Sequence, residues 1–414
     1  MDRLDGRLAT TLSRRRLLAA GVGGAGLASL PLWAKGLVDL ALPGKPSQRS
    51  LTTAFPQKGE MILQRARPPL LETPMAVFDE GVLTPNDRFF VRWHWASIPE
   101  TVDVATFRLS VRGHVERPLS LTLDQLLHDF ERIEYVAVNQ CSGNSRGLFE
   151  PGVPGAEWGH GAMGNARWTG VRLRDVLDRA GVKAGAVDVR LGGLDEALLP
   201  DAPRFLKSLA VDHARGEETM IAFAMNGEQL PLLNGFPLRL VVPGWYSTYW
   251  VKMLSDIEVL SAKDDQFWMA KAYLAPTAPF GDVAPGTHDF AKAPIAAMTP
   301  RSLITSHAGG ASVPGGAPLA VRGIALGGDS GVAKVELSSD EGKSWSAAKL
   351  GRDEGKYSFR RFEGAVAMPA AGEVRLACRC TNAAGVAQPL AMNWNPNGYM
   401  RAGVETVTLK AGAP

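Results

Sequence analysis

The sequence predicts an α+β protein, in which a mixed domain of strands and short helices is followed by an immunoglobulin-like β-sandwich. In the first part, alternating or apolar runs typical of strands are mixed with segments of helical spacing. After residue 300, strand-like runs separated by glycine-rich turns follow one another. Between the two parts, residues 276–300 are rich in proline and have no apolar period, which is typical of a linker.

Composition and charge limit the class of protein. The chain has 414 residues, of which 45% are hydrophobic and 21% are charged, so it can form two or three domains with a substantial core. Its net charge of +3 gives no strong field, and we expect no nucleic acid partner. Three cysteines provide no disulfide framework, and Cys378 and Cys380, on one strand face, are expected to be packed thiols.

The first 34 residues are predicted to be a twin-arginine signal peptide. The basic run Ser13–Arg16 precedes a weakly apolar, glycine-rich stretch, as in exported proteins that fold before transport and often carry a cofactor. A short membrane anchor or a chance basic helix is the alternative, but four glycines and Pro31 make a stable membrane span unfavourable. We therefore expect a periplasmic protein, with residues 35–80 as an extended arm.

The mixed domain is predicted to cover residues 81–290. Thr122 is a good N-cap for a short helix with leucines on one face, and Gly181 ends a second helix near residues 171–180. Strands are predicted at residues 89–95, 107–113, 133–138, 236–244 and 251–260. The sandwich, residues 291–414, is predicted to contain strands at residues 319–323, 332–338, 357–360 and 373–380.

Cys141 is the main candidate functional residue. It follows the β-prone run 133–138 and lies in a turn that contains Gly143 and Gly147. Turns after strands often carry reactive side chains, and Arg146 could stabilise the thiolate, which is the form that binds a soft metal. The alternative is that Cys141 is a buried small hydrophobe, as most single cysteines are.

Basic residues near predicted strand ends suggest a site for a small anion. Arg92, Arg146 and Arg239, with Lys252 further on, could form an oxyanion or phosphate pocket, although each could also be a solvated surface charge. His94 could bond a phosphate or substrate, or be a core histidine. Tyr273 could donate to an oxygen in the site, or be a packed aromatic.

Several cofactor types are not indicated by the sequence. There is no zinc-type spacing, phosphate-binding loop or dinucleotide motif after a strand. No Cys-x-x-Cys-His motif occurs, so we expect no covalent c-type haem on this chain, and any electrons would leave through another protein.

Several motifs in the same order are similar to one known family. From about residue 60 to residue 410 the chain resembles the sulfite oxidase family of mononuclear molybdenum enzymes, and most of all bacterial periplasmic sulfite dehydrogenases. The motifs that carry this resemblance are Phe90-Val91-Arg92-Trp93-His94, Gln140-Cys141-Ser142-Gly143-Asn144, Ala224-Met225-Asn226-Gly227-Glu228, the run from Asn234 to Gly244, and Val251-Lys252.

The resemblance implies a molybdenum–molybdopterin cofactor. Cys141 would be the protein ligand to the metal, and Arg92, Arg146 and Tyr273 would act with it on the substrate. Asn234 stands where animal members have histidine. The residues implied to contact the cofactor are Phe90, Val91, Arg92, Trp93, His94, Asp195, Asn234, Arg239, Trp250, Val251 and Lys252.

The implied activity is the oxidation of sulfite to sulfate by oxygen-atom transfer, with a c-type cytochrome as electron acceptor. The b-type haem domain of animal members is expected to be missing. One departure is Asn397, where animal members have a substrate arginine; Arg401 is a candidate replacement. A sulfane dehydrogenase subunit, a methionine sulfoxide reductase and a cofactor-free binding protein remain alternatives. We expect a homodimer through the sandwich, or a heterodimer with a cytochrome subunit.

Overall fold

A computed structural model describes residues 34–412 of the chain. The predicted signal peptide, residues 1–34, lies outside the described residues apart from its last position. Among residues 34–412, no helix has the length and apolar character needed to cross a membrane.

The N-terminal residues form a sheet instead of the expected extended arm. Strands β1 to β5 pair antiparallel in sequence order. Each carries only one to three apolar residues, so no period is visible in the sequence; Met61 and Leu71 are nonetheless fully buried, next to Val91 and Trp93. The strands are β1 (Ala34–Asp39), β2 (Gln48–Thr52), β3 (Met61–Arg65), β4 (Leu70–Glu72) and β5 (Val91–Arg92).

Two further sheets form the centre of the molecule. They contain β6 (Leu109–Gly113), β7 (Leu119–Leu121), β8 (Arg132–Gln140), β9 (Met163–Arg172), β10 (Asp188–Gly193), β11 (Leu206–Ala210), β12 (Met220–Met225), β13 (Glu228–Gln229), β14 (Arg239–Val241) and β15 (Leu254–Leu260). One sheet has the order β11-β10-β15-β6-β7, in which only β6 and β15 are parallel. The other has the order β13-β12-β9-β8, with β14 also paired to β12.

Short helices connect these strands. The α-helices are α1 (Val77–Glu80), α2 (Leu123–His128), α3 (Leu173–Ala180), α4 (Val211–Ala214) and α5 (Phe267–Ala270). Single 3-10 turns occur at Asn86–Arg88, Arg146–Leu148, Leu232–Asn234, Ser247–Tyr249 and Pro279–Gly281.

The two helices predicted from their caps are confirmed. The Thr122 hydroxyl oxygen accepts a hydrogen bond from the backbone N–H of Gln125, and the side-chain oxygen of Gln125 accepts one from the backbone N–H of Thr122. Such a capping box stabilises a helix by about 1 kcal/mol. Gly181 ends α3 in the left-handed conformation, with φ at 72°.

Predicted strands near the site are shorter in the structure. Only Val91–Arg92 of residues 89–95 is a strand, and only Arg239–Val241 of residues 236–244. Lys252 precedes β15, which begins at Leu254. The chain leaves the sheets early because these residues line a cavity.

The C-terminal part is a β-sandwich, and the α+β prediction is confirmed. The predicted linker forms a small antiparallel ribbon of β16 (Leu274–Pro276) and β17 (Lys292–Pro294). The sandwich sheets have the orders β18-β20-β24-β23 and β19-β26-β25-β21-β22. Their strands are β18 (Arg301–Ile304), β19 (Ser312–Pro314), β20 (Leu319–Leu326), β21 (Val332–Ser338), β22 (Ser346–Ala347), β23 (Lys349–Leu350), β24 (Arg360–Val366), β25 (Gly372–Asn382) and β26 (Thr406–Gly412).

The sandwich core explains two of the three thiols. Cys378 and Cys380 are fully buried in it as free cysteines, and burial raises the pKa of each to about 12. The strand predicted at residues 357–360 begins later, at Arg360.

Candidate active site

Cys141 lies directly after β8, at the point where two cavities meet. Its backbone N–H donates to Ala162 at 2.9 Å, and its carbonyl accepts from Asn144 at 2.9 Å, which closes the turn. The Asn144 side chain in turn accepts from the Ala162 N–H at 3.0 Å. The turn is thus held against the start of β9. Only 6% of Cys141 is exposed, and it borders both cavities.

The inner cavity is strongly cationic. Arg239 is buried and donates to the Asn234 carbonyl at 2.9 Å and to Asn139 Oδ1 at 3.0 Å. Burial lowers the pKa of Arg239 to about 9, and burial together with the charge of Arg239 lowers that of Lys252 to about 7. Within residues 34–412, no carboxylate lies within 4 Å of either charge or of Arg92.

Several polar atoms that face this cavity have no partner within the protein. A buried donor without a partner costs about 1–3 kcal/mol, so natural proteins rarely leave a group of them together. The atoms are Arg92 Nη1, Asn139 Nδ2, Ser142 Oγ, Arg239 Nε and Thr248 Oγ1. The cavity therefore fits a ligand that has negative charge and many acceptors, with a soft sulfur donor at one end for a metal.

The outer cavity, on the other side of Cys141, is lined by three arginines and two tyrosines: Arg65, Arg92, Arg146, Tyr273 and Tyr399. Arg146 is 8% exposed, donates through Nε to the Asn397 carbonyl at 3.0 Å, and lies 5.0 Å above the Tyr399 ring. Arg92 and Tyr273 line both cavities. The outer cavity can therefore hold a small anion next to the sulfur.

Glycines make the space that Arg146 occupies. A Cβ at Gly143 would lie 2.4 Å from its guanidinium carbon, and one at Gly155 would lie 3.0 Å from its Cδ. A Cβ at Gly398 would lie 2.7 Å from its Cγ. These glycines come from three separate loops, so their common role around Arg146 is visible only in the folded chain.

Tyr273 and His94 form a hydrogen-bonded pair between the cavities. The Tyr273 hydroxyl contacts His94 Nε2, and its ring stacks on Tyr399 with the centroids 5.7 Å apart. Burial raises the pKa of Tyr273. Burial, followed by the charges of Arg92 and Lys252, lowers the pKa of His94 well below its usual value. At neutral pH the pair therefore consists of a phenol and an uncharged imidazole.

Most of the predicted site residues line one cavity or the other. Trp93 borders the outer cavity. Asp195 and Val251 border neither: Asp195 is buried where its charge acts on Lys252, and the Val251 carbonyl accepts from Leu240 at 2.8 Å. Those at the inner cavity are Phe90, Val91, Arg92, His94, Cys141, Asn234, Arg239, Trp250, Lys252 and Tyr273.

The suggestion that Arg401 takes the place of an arginine at Asn397 is wrong. Arg401 is turned away from both cavities and donates to both carboxylate oxygens of Glu405, at 2.8 and 3.1 Å, and to the Leu148 carbonyl at 2.7 Å. This two-point contact with a carboxylate holds the guanidinium more firmly than a solvent-filled cavity could.

Sequence reasoning missed other residues that line the cavities. Ser247 and Thr248 interrupt an aromatic run in the sequence, and this polar pair was an available signal. Arg65, at the end of β3, reaches the outer cavity, and Phe205 packs against the His94 ring with the centroids 3.6 Å apart. Neither lies in a recognisable motif.

Two domain families and several known proteins are similar to this chain. Residues 95–268 match the oxidoreductase molybdopterin binding domain, and residues 292–409 match the Mo-co oxidoreductase dimerisation domain. The chain is 33% identical to the mitochondrial sulfite oxidase of Homo sapiens over 352 residues, which is 81% of this chain and 63% of that protein. It is 33% identical to the sulfite oxidase of Gallus gallus over 346 residues, 80% of this chain and 73% of that protein.

A solved structure is also similar over most of its length. It is the sulfane dehydrogenase SoxCD from Paracoccus pantotrophus, with a TM-score of 0.68 and 27% identity, covering 82% of this chain and 84% of that one. The match to the human relative spans less than two thirds of that relative's length.

Proposed function

Because the chain belongs to the sulfite oxidase family of molybdenum enzymes, we propose that it oxidises sulfite to sulfate by oxygen-atom transfer. The observation that carries this proposal is the outer cavity, where the guanidinium groups of Arg92 and Arg146 meet Tyr273 beside Cys141. Two planar cations in a partly dry site favour a small dianion, and their effect on a developing charge is typically several kcal/mol.

The inner cavity would hold the pterin cofactor. Cys141 would bind the metal, while Arg239, Lys252 and the unpartnered donors around them would hold the phosphate and the pterin ring. When bound, molybdenum–molybdopterin supplies two-electron oxygen-atom-transfer chemistry. The protein contributes the orientation of the cofactor and the exclusion of water, since the site residues are largely buried.

Tyr273, held in place by His94, would orient the bound anion. The phenol lies beside the substrate cavity and contacts the nitrogen of an imidazole that stays uncharged and can accept its hydrogen bond. Tyr273 would therefore orient the oxygens of the bound anion and couple proton release to the departure of electrons.

The test is steady-state sulfite oxidation with a c-type cytochrome as acceptor, on protein of measured molybdenum content. Turnover should scale with molybdenum, and Arg146→Gln should raise the KM for sulfite by about 10-fold or more, the equivalent of one lost charge-assisted contact. Arg352→Gln is the matched control, because Arg352 is 85% exposed and distant from the cavities. Molybdenum-loaded protein that leaves sulfite unchanged would refute the proposal.

A second candidate is the oxidation of sulfur carried by another protein. Asn397 places an uncharged side chain at the outer cavity, at a position where the family resemblance implies an arginine in animal members, so the site would demand less negative charge from its substrate. The similarity to sulfane dehydrogenase SoxCD supports the same candidate. Parallel assays with sulfite, thiosulfate and methionine sulfoxide separate these reactions and also examine the sulfoxide reductase alternative. A molybdenum content of zero in folded protein would favour a binding protein.

We further propose a periplasmic location, a c-type cytochrome partner and a dimer formed through the C-terminal domain. The arginine-rich N-terminal sequence supports export, and the match of residues 292–409 to a dimerisation domain supports association. Light scattering of the purified protein measures the oligomer, and cell fractionation measures the location. A monomer, or a cytoplasmic protein with an uncleaved N-terminus, would contradict these proposals.

A further inference from the structure

Lys58 is a buried cation that none of the sequence motifs includes. It lies in the loop between β2 and β3 and is 7% exposed. Its Nζ donates to the carbonyls of Asn86 at 2.8 Å and Phe89 at 2.9 Å, and to the side-chain oxygen of Asn234. All three acceptors are uncharged. Within residues 34–412 no carboxylate lies within 4 Å of this ammonium group.

Asn234 connects Lys58 to the inner cavity. Its side-chain oxygen accepts from Lys58, its side-chain nitrogen donates to the Phe90 carbonyl at 3.1 Å, and its backbone carbonyl accepts from Arg239 Nη1 at 2.9 Å. The neighbouring residue Gln57 also accepts from the backbone of Leu232 at 2.8 Å. The N-terminal loop therefore fixes the 3-10 turn Leu232–Asn234 on which the guanidinium of Arg239 rests.

The charge balance of this region is incomplete within the protein. Burial, with the charge of Arg239, lowers the pKa of Lys58 to about 7 against the raising effect of Asp87. A buried cation with only neutral partners is costly unless an anion is bound nearby. Arg239 leaves its Nε unpartnered on the cavity side.

We propose that Lys58 is a positioning residue of the cofactor site, which holds Arg239 through Asn234 and supplies a buried charge that the phosphate of the pterin cofactor balances. The proposal rests on the molybdopterin cofactor of the family and not on which sulfur compound is oxidised. It makes the N-terminal sheet part of cofactor retention, since Lys58 belongs to the loop that joins two of its strands.

The experiment measures cofactor retention in the full chain without substrate. Lys58→Met is loaded with cofactor, and molybdenum and pterin per chain are followed through repeated desalting. We expect loss at least about 10-fold faster than in the unaltered protein, the usual effect of removing an outer-shell partner of a metal site. The gain in melting temperature on cofactor loading should also shrink. If the role of Lys58 were purely structural, the variant would instead lower the melting temperatures of the cofactor-free and the loaded protein equally.

Lys207→Met is the matched control. Lys207 is also fully buried, with its pKa lowered by burial to about 7, but it donates to the Trp268 carbonyl and has no contact with Asn234. The Lys207→Met variant should keep its cofactor as long as the unaltered protein does. Equal retention by Lys58→Met and the unaltered protein would overturn the proposal, and so would equally fast loss from Lys207→Met.

A double-variant cycle examines the route through Asn234. If Lys58 acts by holding Asn234, the pair Lys58→Met and Asn234→Ala should lose cofactor no faster than Asn234→Ala alone. Fully additive losses would refute that route. If methionine at position 58 prevents folding, Lys58→Gln keeps a donor and removes the charge, and it should show the same faster loss.

Discussion

Arg301 donates a hydrogen bond to the hydroxyl of Ser145 at 2.6 Å and thereby joins the C-terminal sandwich to the turn that follows Cys141. Ser145 is fully buried in the left-handed conformation, with φ at 66°, and its hydroxyl also contacts His160 Nδ1 at 2.7 Å. Since Arg146 is the next residue, the sandwich helps to aim this cation into the outer cavity.

The same nitrogen of Arg301, Nη2, also donates to a largely buried carboxylate. Glu405 accepts from Arg301 at 3.0 Å and from Arg401 at 2.8 Å. Although burial raises the pKa of Glu405, the charges of Arg401, His160 and Arg301 lower it to about 2. The carboxylate is therefore ionised at neutral pH, and both arginines depend on it for their orientation.

Replacing Arg301 by methionine should destabilise the protein and weaken anion binding together. Removing one partner from a buried ion cluster typically costs about 3–5 kcal/mol. Urea unfolding of the variant and the unaltered protein would measure this difference in the free energy of unfolding. The KM for the anionic substrate should rise because Ser145 loses its anchor. Arg352→Met breaks an exposed pair with Glu354 and should change stability by less than about 1 kcal/mol. A similar small effect at Arg301 would contradict this coupling.

Stability should fall as the pH is lowered from 6.5 to 4, and His160 should contribute to that fall. Burial lowers the pKa of His160 to about 4, against a raising effect of Glu405 and a lowering effect of Arg301. The unfolded chain therefore binds more protons than the folded chain across this window. The contribution of neutral His160 to the free energy of unfolding is fully present above pH 6.5 and is lost as the pH falls toward 4. His160→Asn should reduce the slope of unfolding free energy against pH by up to about 1.4 kcal/mol per pH unit. An unchanged slope would disprove the assignment.

The features that sequence alone predicted are those whose information lies within a few residues. The helix start at Thr122, the helix end at Gly181 and the turn at Cys141 each need only local chemistry. Residues 34–72 pair as strands through partners that the local pattern does not reveal, so their sheet was missed.

Long-range contacts explain the errors within the site. Lys58 meets Asn234 across 176 residues. Arg401 pairs with Glu405 only four residues away, but its additional bond to the Leu148 carbonyl, 253 residues away, depends on the tertiary fold. The resemblance to a family supplied several cavity residues, but it could not indicate Lys58 or Arg65, which lie outside the shared motifs.

An added methyl group at Gly143 should displace Arg146 without disturbing the rest of the fold. The new Cβ would lie 2.4 Å from the guanidinium carbon, so the cation must move, and a shift of about 1 Å at a positioned group can cost up to about 100-fold in rate. Gly143→Ala should therefore raise the KM for the anion while the far-ultraviolet circular dichroism stays unchanged. Gly309→Ala is the control, because no atom lies within 4 Å of its added Cβ. Equal kinetics for the two variants would show that Arg146 needs no such space.

Serine at Cys141 and serine at Cys378 should have opposite effects. Cys141→Ser keeps the shape of the side chain but replaces a soft sulfur by a hydroxyl that is a poor ligand for the metal, so the fold and the pterin content should persist while turnover collapses. Cys378→Ser buries a hydroxyl in the sandwich core and should cost about 1–2 kcal/mol of stability with turnover per molybdenum unchanged. Thermal melts measure stability, pterin fluorescence and metal analysis measure the cofactor content, and steady-state rates measure turnover. Because both thiols are buried, the two variants separate metal ligation from packing, and retained turnover in Cys141→Ser would exclude this sulfur as the ligand.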